Sequence, residues 1–283
     1  MREDGYESDK NQLLVIPDIK RPGWINHFFN SADGKGTWDL SPGSISWSKD
    51  AKTLYLVAET QGRTAIFSTP SNVMQANKGL PAQLLSSGTI ADIQPLANGQ
   101  IFISGSSLID NSAYSLFDPS STKSQTRLIS SSSKSGSAFG LSRNQVDEIW
   151  FKGVEADIHA WVFKPSNFKK GEKYPLAYLI HGGPQGAWND GWSTRWNPAV
   201  FAEQGFVVIA PVSTERPLYA NVFENNFLTM EQNPTGSTGY GQDLTDGIQE
   251  QWGGLPYQDL VKGFEYIEES LDYVDTGVYT DLA

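Results

Sequence analysis

Two runs of five residues, Leu176-Ala177-Tyr178-Leu179-Ile180 and Phe206-Val207-Val208-Ile209-Ala210, carry no charged or amide side chain. Runs this short and this apolar are the mark of strands buried on both faces of a mostly parallel sheet. Parallel neighbours need a crossover, and residues 198–204 supply a short helix candidate that Gly205 stops. Further helix candidates lie over residues 244–251 and 257–271. In the second, Leu260, Phe264, Ile267 and Leu271 make one apolar stripe. Upstream, Glu148-Ile149-Trp150-Phe151 and Ile158-His159-Ala160-Trp161-Val162-Phe163 read as strands. This strand and helix alternation predicts an α/β domain over residues 141–283.

Residues 1–140 read differently, as short strands broken by turns. Ile45-Ser46-Trp47-Ser48 and Thr53-Leu54-Tyr55-Leu56-Val57 flank a Lys49-Asp50-Ala51-Lys52 turn, a hairpin signal. A second unit, residues 90–96 and 100–104 around Asn98-Gly99, follows at the period of one four-stranded propeller blade. The Trp47-Ser48-Lys49-Asp50 turn with Lys52 and Leu54 is similar to the hairpins of propellers. The expectation is therefore a β-propeller portion, all-β and with too few blades to close a ring, with an antiparallel sandwich as the alternative. The Ser-rich residues 120–137 read as a loop or linker, with the domain boundary just after it.

Composition narrows the function. Of 283 residues, 39% are hydrophobic and 12% aromatic, a globular profile. The net charge of −11 comes without any block of Lys or Arg that could neutralise phosphates, so neither nucleic acid nor an anionic membrane is an expected partner. The longest apolar run falls far short of the roughly 20 residues a bilayer span needs. Met1-Arg2-Glu3-Asp4-Gly5-Tyr6 is polar, and no signal peptide is expected from it. With no Cys, there is no thiolate chemistry, and His27, His159 and His181 are the imidazoles present. Neither a metal nor an organic cofactor is expected.

His181-Gly182-Gly183-Pro184 follows the first apolar run directly. Glycines there let the backbone turn sharply and present N–H groups to an oxyanion, although a Gly-Gly turn with a structural histidine would read the same. Asp259 and Glu265 lie on different faces of the last helix and are expected to be solvated, without a catalytic role.

Taken together, Lys173-Tyr174-Pro175-Leu176, His181-Gly182-Gly183-Pro184, Phe206-Val207-Val208-Ile209-Ala210-Pro211, Gly236-Ser237-Thr238-Gly239-Tyr240-Gly241 and Trp252-Gly253-Gly254 resemble the prolyl oligopeptidase family of serine peptidases, most closely its dipeptidyl peptidase branch. The resemblance implies a β-propeller portion followed by the N-terminal part of an α/β-hydrolase domain. It also implies a secreted exopeptidase acting on peptide substrates and releasing dipeptides from free N-termini. It puts His181, Gly182, Gly183 and Pro184 near the oxyanion hole, and Gly236, Ser237, Thr238, Gly239 and Tyr240 on a loop beside the cleft.

The chain departs from this pattern in two places. No Gly-x-Ser-x-Gly elbow occurs in it, so the catalytic Ser, Asp and His are expected beyond Ala283 and this chain is expected to be inactive. Residues 212–232 also intervene where the family runs almost directly on. Val212-Ser213, Leu228-Thr229 and Gln232 can be encoded by donor, branch and acceptor consensus sequences, so this stretch is expected to be a retained intervening segment; a genuine surface insertion is the alternative. An acylaminoacyl-type peptidase or esterase of the same fold, and a non-catalytic propeller fragment, remain open as other functions.

Overall fold

The structure, a computed structural model, describes residues 8–121, 123, 125–154, 157–182, 185–213, 236–251 and 253–282. A two-stranded ribbon, β1 (Leu14–Val15) with β2 (Asn26–His27), precedes two antiparallel meanders. The first meander runs through β3 (Pro42–Trp47), β4 (Thr53–Thr60), β5 (Arg63–Pro70) and, after the short helix α1 (Val73–Ala76), β6 (Ala82–Ser86), in that spatial order. The second holds β7 (Thr89–Pro95), β8 (Ile101–Ser106), β9 (Ala113–Phe117) and β10 (Thr126–Ser131).

Local chemistry accounts for the first hairpin. Asp50 Oδ1 accepts from Ser48 Oγ at 2.7 Å and from Lys52 N at 3.1 Å, which closes the turn and aligns Trp47 with Leu54. Alternation then splits β4 between two cores. Leu54, Leu56 and Ala58 pack with Trp38 and Phe67 on one face, while Tyr55 and Val57 pack with Ile66, Ile93 and Ile101 on the other. The second cluster is the seam between the two meanders.

The Ser-rich stretch is not the linker that its composition suggests, because β10 lies inside it and pairs with β9 from Thr126 opposite Phe117 to Ser131 opposite Ala113. β10 is an edge strand whose side chains are nearly all exposed, so its backbone hydrogen bonds hold it in place and its side chains give no apolar alternation to read.

A third sheet takes the order β11-β12-β14-β13-β15, built from β11 (Val146–Lys152), β12 (Asp157–Phe163), β13 (Tyr174–Leu179), β14 (Val207–Ser213) and β15 (Val274–Leu282). β11, β12 and β14 are antiparallel neighbours; β14, β13 and β15 are parallel. The two apolar runs thus lie side by side, with Leu176 opposite Val207. Helices cover both faces. α2 (Pro198–Ala202) and α3 (Gln242–Asp246) pack with Trp161, Phe163 and Leu179, while α4 (Leu255–Ser270) packs with Ile158, Leu176 and Ile209. Gly263 lets α4 approach closely, since a Cβ there would sit 2.5 Å from Tyr178 Oη and 2.6 Å from Phe151 Cζ.

Two sequence expectations change here. Asp259 is buried rather than solvated: its Oδ1 accepts from Val154 N at 2.6 Å, fixing the turn after β11 to α4, and Glu265 alone of the pair is exposed. The expected intervening segment at residues 212–232 begins within β14, where Val212 pairs with His159 and Ser213 with Ile158; its residues 214–232 lie outside the described residues.

Candidate functional site

β13 ends at Leu179 and delivers His181 to the C-terminal edge of the parallel strands, where ligand sites of open α/β sheets form. His181 is half-buried, and burial holds its imidazole below the ordinary value of 6.5 against the opposing effect of its contact with Gly182 O. That contact, Nδ1 to the carbonyl at 3.2 Å, places a proton on Nδ1, because a carbonyl oxygen only accepts. Nε2 is then an acceptor, and Ser237 Oγ, 2.9 Å away, donates to it.

The 236–241 loop owes its path to glycines. Gly236 has φ +118°, and a Cβ there would lie 2.9 Å from Ile248 Cδ1; Gly239 has φ +84°. Thr245 Oγ1 donates to Ser237 O at 2.9 Å, and Thr238 N to Gly186 O at 3.0 Å. Although Ser237 and His181 stand at the distance of a nucleophile and its base, Ser237 is only 1% exposed. Its hydroxyl orients the histidine and is not presented to a substrate.

The structure therefore brings His181, Gly182, Ser237 and Thr238 together. Tyr240 turns the other way, fully buried, with its hydroxyl 3.3 Å from His159 Nδ1. Gly183 and Pro184 lie outside the described residues. Among the described residues no cluster of His, Asp and Glu could hold a metal ion, and no helix is long and apolar enough to cross a membrane.

A cavity of about 460 Å³ opens beside this loop, between it and the first meander, with Asp9, Asp39, Glu59, Thr238 and Gln242 on its walls. The β4–β5 hairpin, whose Glu59 and Thr64 line this cavity, reaches into the third sheet with its end. Gly62 O accepts from Asp190 N at 2.7 Å, and Arg63 pairs with Glu148 while lying 4.7 Å over the Trp161 ring. Glu148 also accepts from Nε2 of the fully buried His159 at 3.1 Å. Burial works to raise Glu148, but the hydrogen bonds from His159 and Arg63 outweigh it and bring it down to about 2. Sequence reading missed Glu59, Arg63 and Glu148, whose partners lie far away in the chain. The one signal was a histidine inside an otherwise apolar strand.

The architecture is therefore two four-stranded antiparallel meanders docked on a five-stranded mixed sheet with helices on both faces. The fold is shared with the acylaminoacyl peptidase of Pyrococcus horikoshii (TM-score 0.67, 17% identity, 99% of this chain and 38% of that one). It is also shared with the dipeptidyl peptidase 4 of Porphyromonas gingivalis (TM-score 0.58, 17% identity, 91% of this chain and 34% of that one). In sequence, residues 215–278 match the prolyl oligopeptidase family model. The chain is 40% identical to dipeptidyl-peptidase 5 of Aspergillus fumigatus over 98% of its own length and 34% of the relative's, and 40% identical to that of Arthroderma otae over the same shares. In sequence the chain is thus similar to members of the prolyl oligopeptidase family, and it spans about a third of the length of these curated relatives.

Proposed function

We propose that these residues are the part of a secreted dipeptidyl peptidase that builds one wall of its active site: two blades of the propeller, residues 1–140, and the N-terminal portion of the hydrolase domain, residues 141–283. The observation that carries this reading is the 40% identity to dipeptidyl-peptidase 5 along nearly the whole chain, set beside His181-Gly182 at the end of a parallel strand. Amides after β13 would hold the oxyanion of an acyl transfer, and the 236–241 loop would line the cleft for a peptide. The substrate is a peptide with a free amino end; neither nucleic acid nor a cofactor takes part. The nucleophile, its base and the orienting Asp come from outside these residues, since the sequence has no Gly-x-Ser-x-Gly, and the chain alone is catalytically inert.

The test uses the chain extended to the length of its relatives. Peptides with free amino ends are incubated with it, and products are weighed by mass spectrometry. Successive loss of dipeptides, blocked by N-acetylation, is expected. Release of single acetylated residues would replace the dipeptidyl reading with the acylaminoacyl one.

A further inference from the structure

Glu59 makes contacts that a strand terminus does not need for its own folding. It stands near the end of β4, half-buried, on the antiparallel part of the chain. Its Oε1 accepts from Asn189 Nδ2 at 2.8 Å, and its Oε2 from Thr238 Oγ1 at 2.7 Å. Asn189 belongs to the loop that follows His181-Gly182. Thr238 adjoins Ser237, whose hydroxyl donates to His181. A carboxylate has two acceptor oxygens and no donor, so one side chain can hold donors from two loops at a fixed spacing. The backbone supports the same joint: Gln61 N donates to Gly239 O at 3.3 Å, and a Cβ on Gly239 would lie 3.1 Å from Glu59 Cβ.

We propose that Glu59 is a positioning residue for the candidate site: together with the backbone bond from Thr238 N to Gly186 O, its carboxylate fixes the spacing of the 185–190 and 236–241 loops and, through Ser237, the orientation of His181. Docking of the hairpin itself does not depend on this side chain, because Arg63 with Glu148 and Asp190 N with Gly62 O anchor it separately. Loss of Glu59 is therefore felt in the loops and not in the sheet. The functional meaning rests on the peptidase reading above, whereas the coupling is measured without substrate, so each can fail alone.

The experiment is hydrogen exchange by mass spectrometry on the 283-residue chain, following backbone amides and the slow imidazole C2 hydrogens of the three histidines. Glu59→Ala is expected to raise amide exchange in both loops about tenfold and His181 C2 exchange about threefold, with β12 and β14 unchanged. Glu59→Gln is expected to stay within about twofold of the unmodified chain. Its amide oxygen accepts from Asn189, and its amide N–H donates to the Thr238 hydroxyl, which can also accept. Thr238→Val leaves the hairpin untouched and is expected to loosen the 236–241 loop and His181 as Glu59→Ala does. The proposal is overturned if Glu59→Ala and Thr238→Val leave His181 and the loops within about twofold, if Glu59→Gln behaves like Glu59→Ala, or if exchange rises equally across β12 and β14.

Discussion

Side chains from β5, β11 and the 236–241 loop meet around His159, and the protonation states there follow from who can donate. Glu148 as a carboxylate only accepts, so the imidazole proton sits on Nε2, and Nδ1 accepts the Tyr240 hydroxyl. Burial holds His159 below 6.5, and Arg63 nearby adds to that; Glu148 opposes it. An imidazole that binds its proton less well folded than unfolded contributes stability in full above the unfolded value of 6.5, and that contribution falls as the pH drops below it. Glu148 titrates near 2 folded against 4.5 unfolded, so its contribution is present above 4.5 and is lost as the pH falls toward 2. With a third of its side chain facing solvent, that loss is about 2 kcal/mol. Denaturant midpoints measured from pH 8 to 2 should decline in both windows, and in Glu148→Gln the decline in the lower window should be smaller by that amount. Parallel curves for the two proteins would contradict this account of the cluster.

Among the elements, α4 shows why a poor helix former can be the right residue. Replacing glycine by alanine in a helix interior normally stabilises by about 1 kcal/mol. At Gly263 the added methyl would meet Tyr178 Oη and Phe151 Cζ well inside contact distance, and neither can withdraw from the packed sheet. Gly263→Ala is expected to lower stability by about 2 kcal/mol in chemical denaturation; a gain would mean that α4 does not press on β13 and β11. The same helix marks a limit of sequence reading. Its apolar stripe was legible, as were the two apolar runs and the first hairpin, because periodicity and turn residues are local. Asp259 was not legible, because what buries it is a turn more than a hundred residues upstream. β10 was hidden for the opposite reason: an edge strand held by its backbone has no side-chain pattern to display.

Across the whole molecule, the hairpin end at residues 59–63 joins the meanders to the third sheet, and it was invisible to motif reading although the motifs on either side of it were not. His181 and Ser237 were singled out separately, by resemblance, and only the fold puts them 2.9 Å apart. That pair has nucleophile-and-base geometry, yet the account assigns the nucleophile elsewhere, on the burial of Ser237 and the missing elbow. The most direct measurement is labelling by a fluorophosphonate probe, which reacts with activated serines, on the 283-residue chain and on the chain extended to its relatives' length, with the labelled residue mapped by mass spectrometry. No label is expected on the shorter chain, and a single labelled serine, outside residues 1–283, is expected on the longer one. A label on Ser237, or on any other serine of these residues, would contradict it.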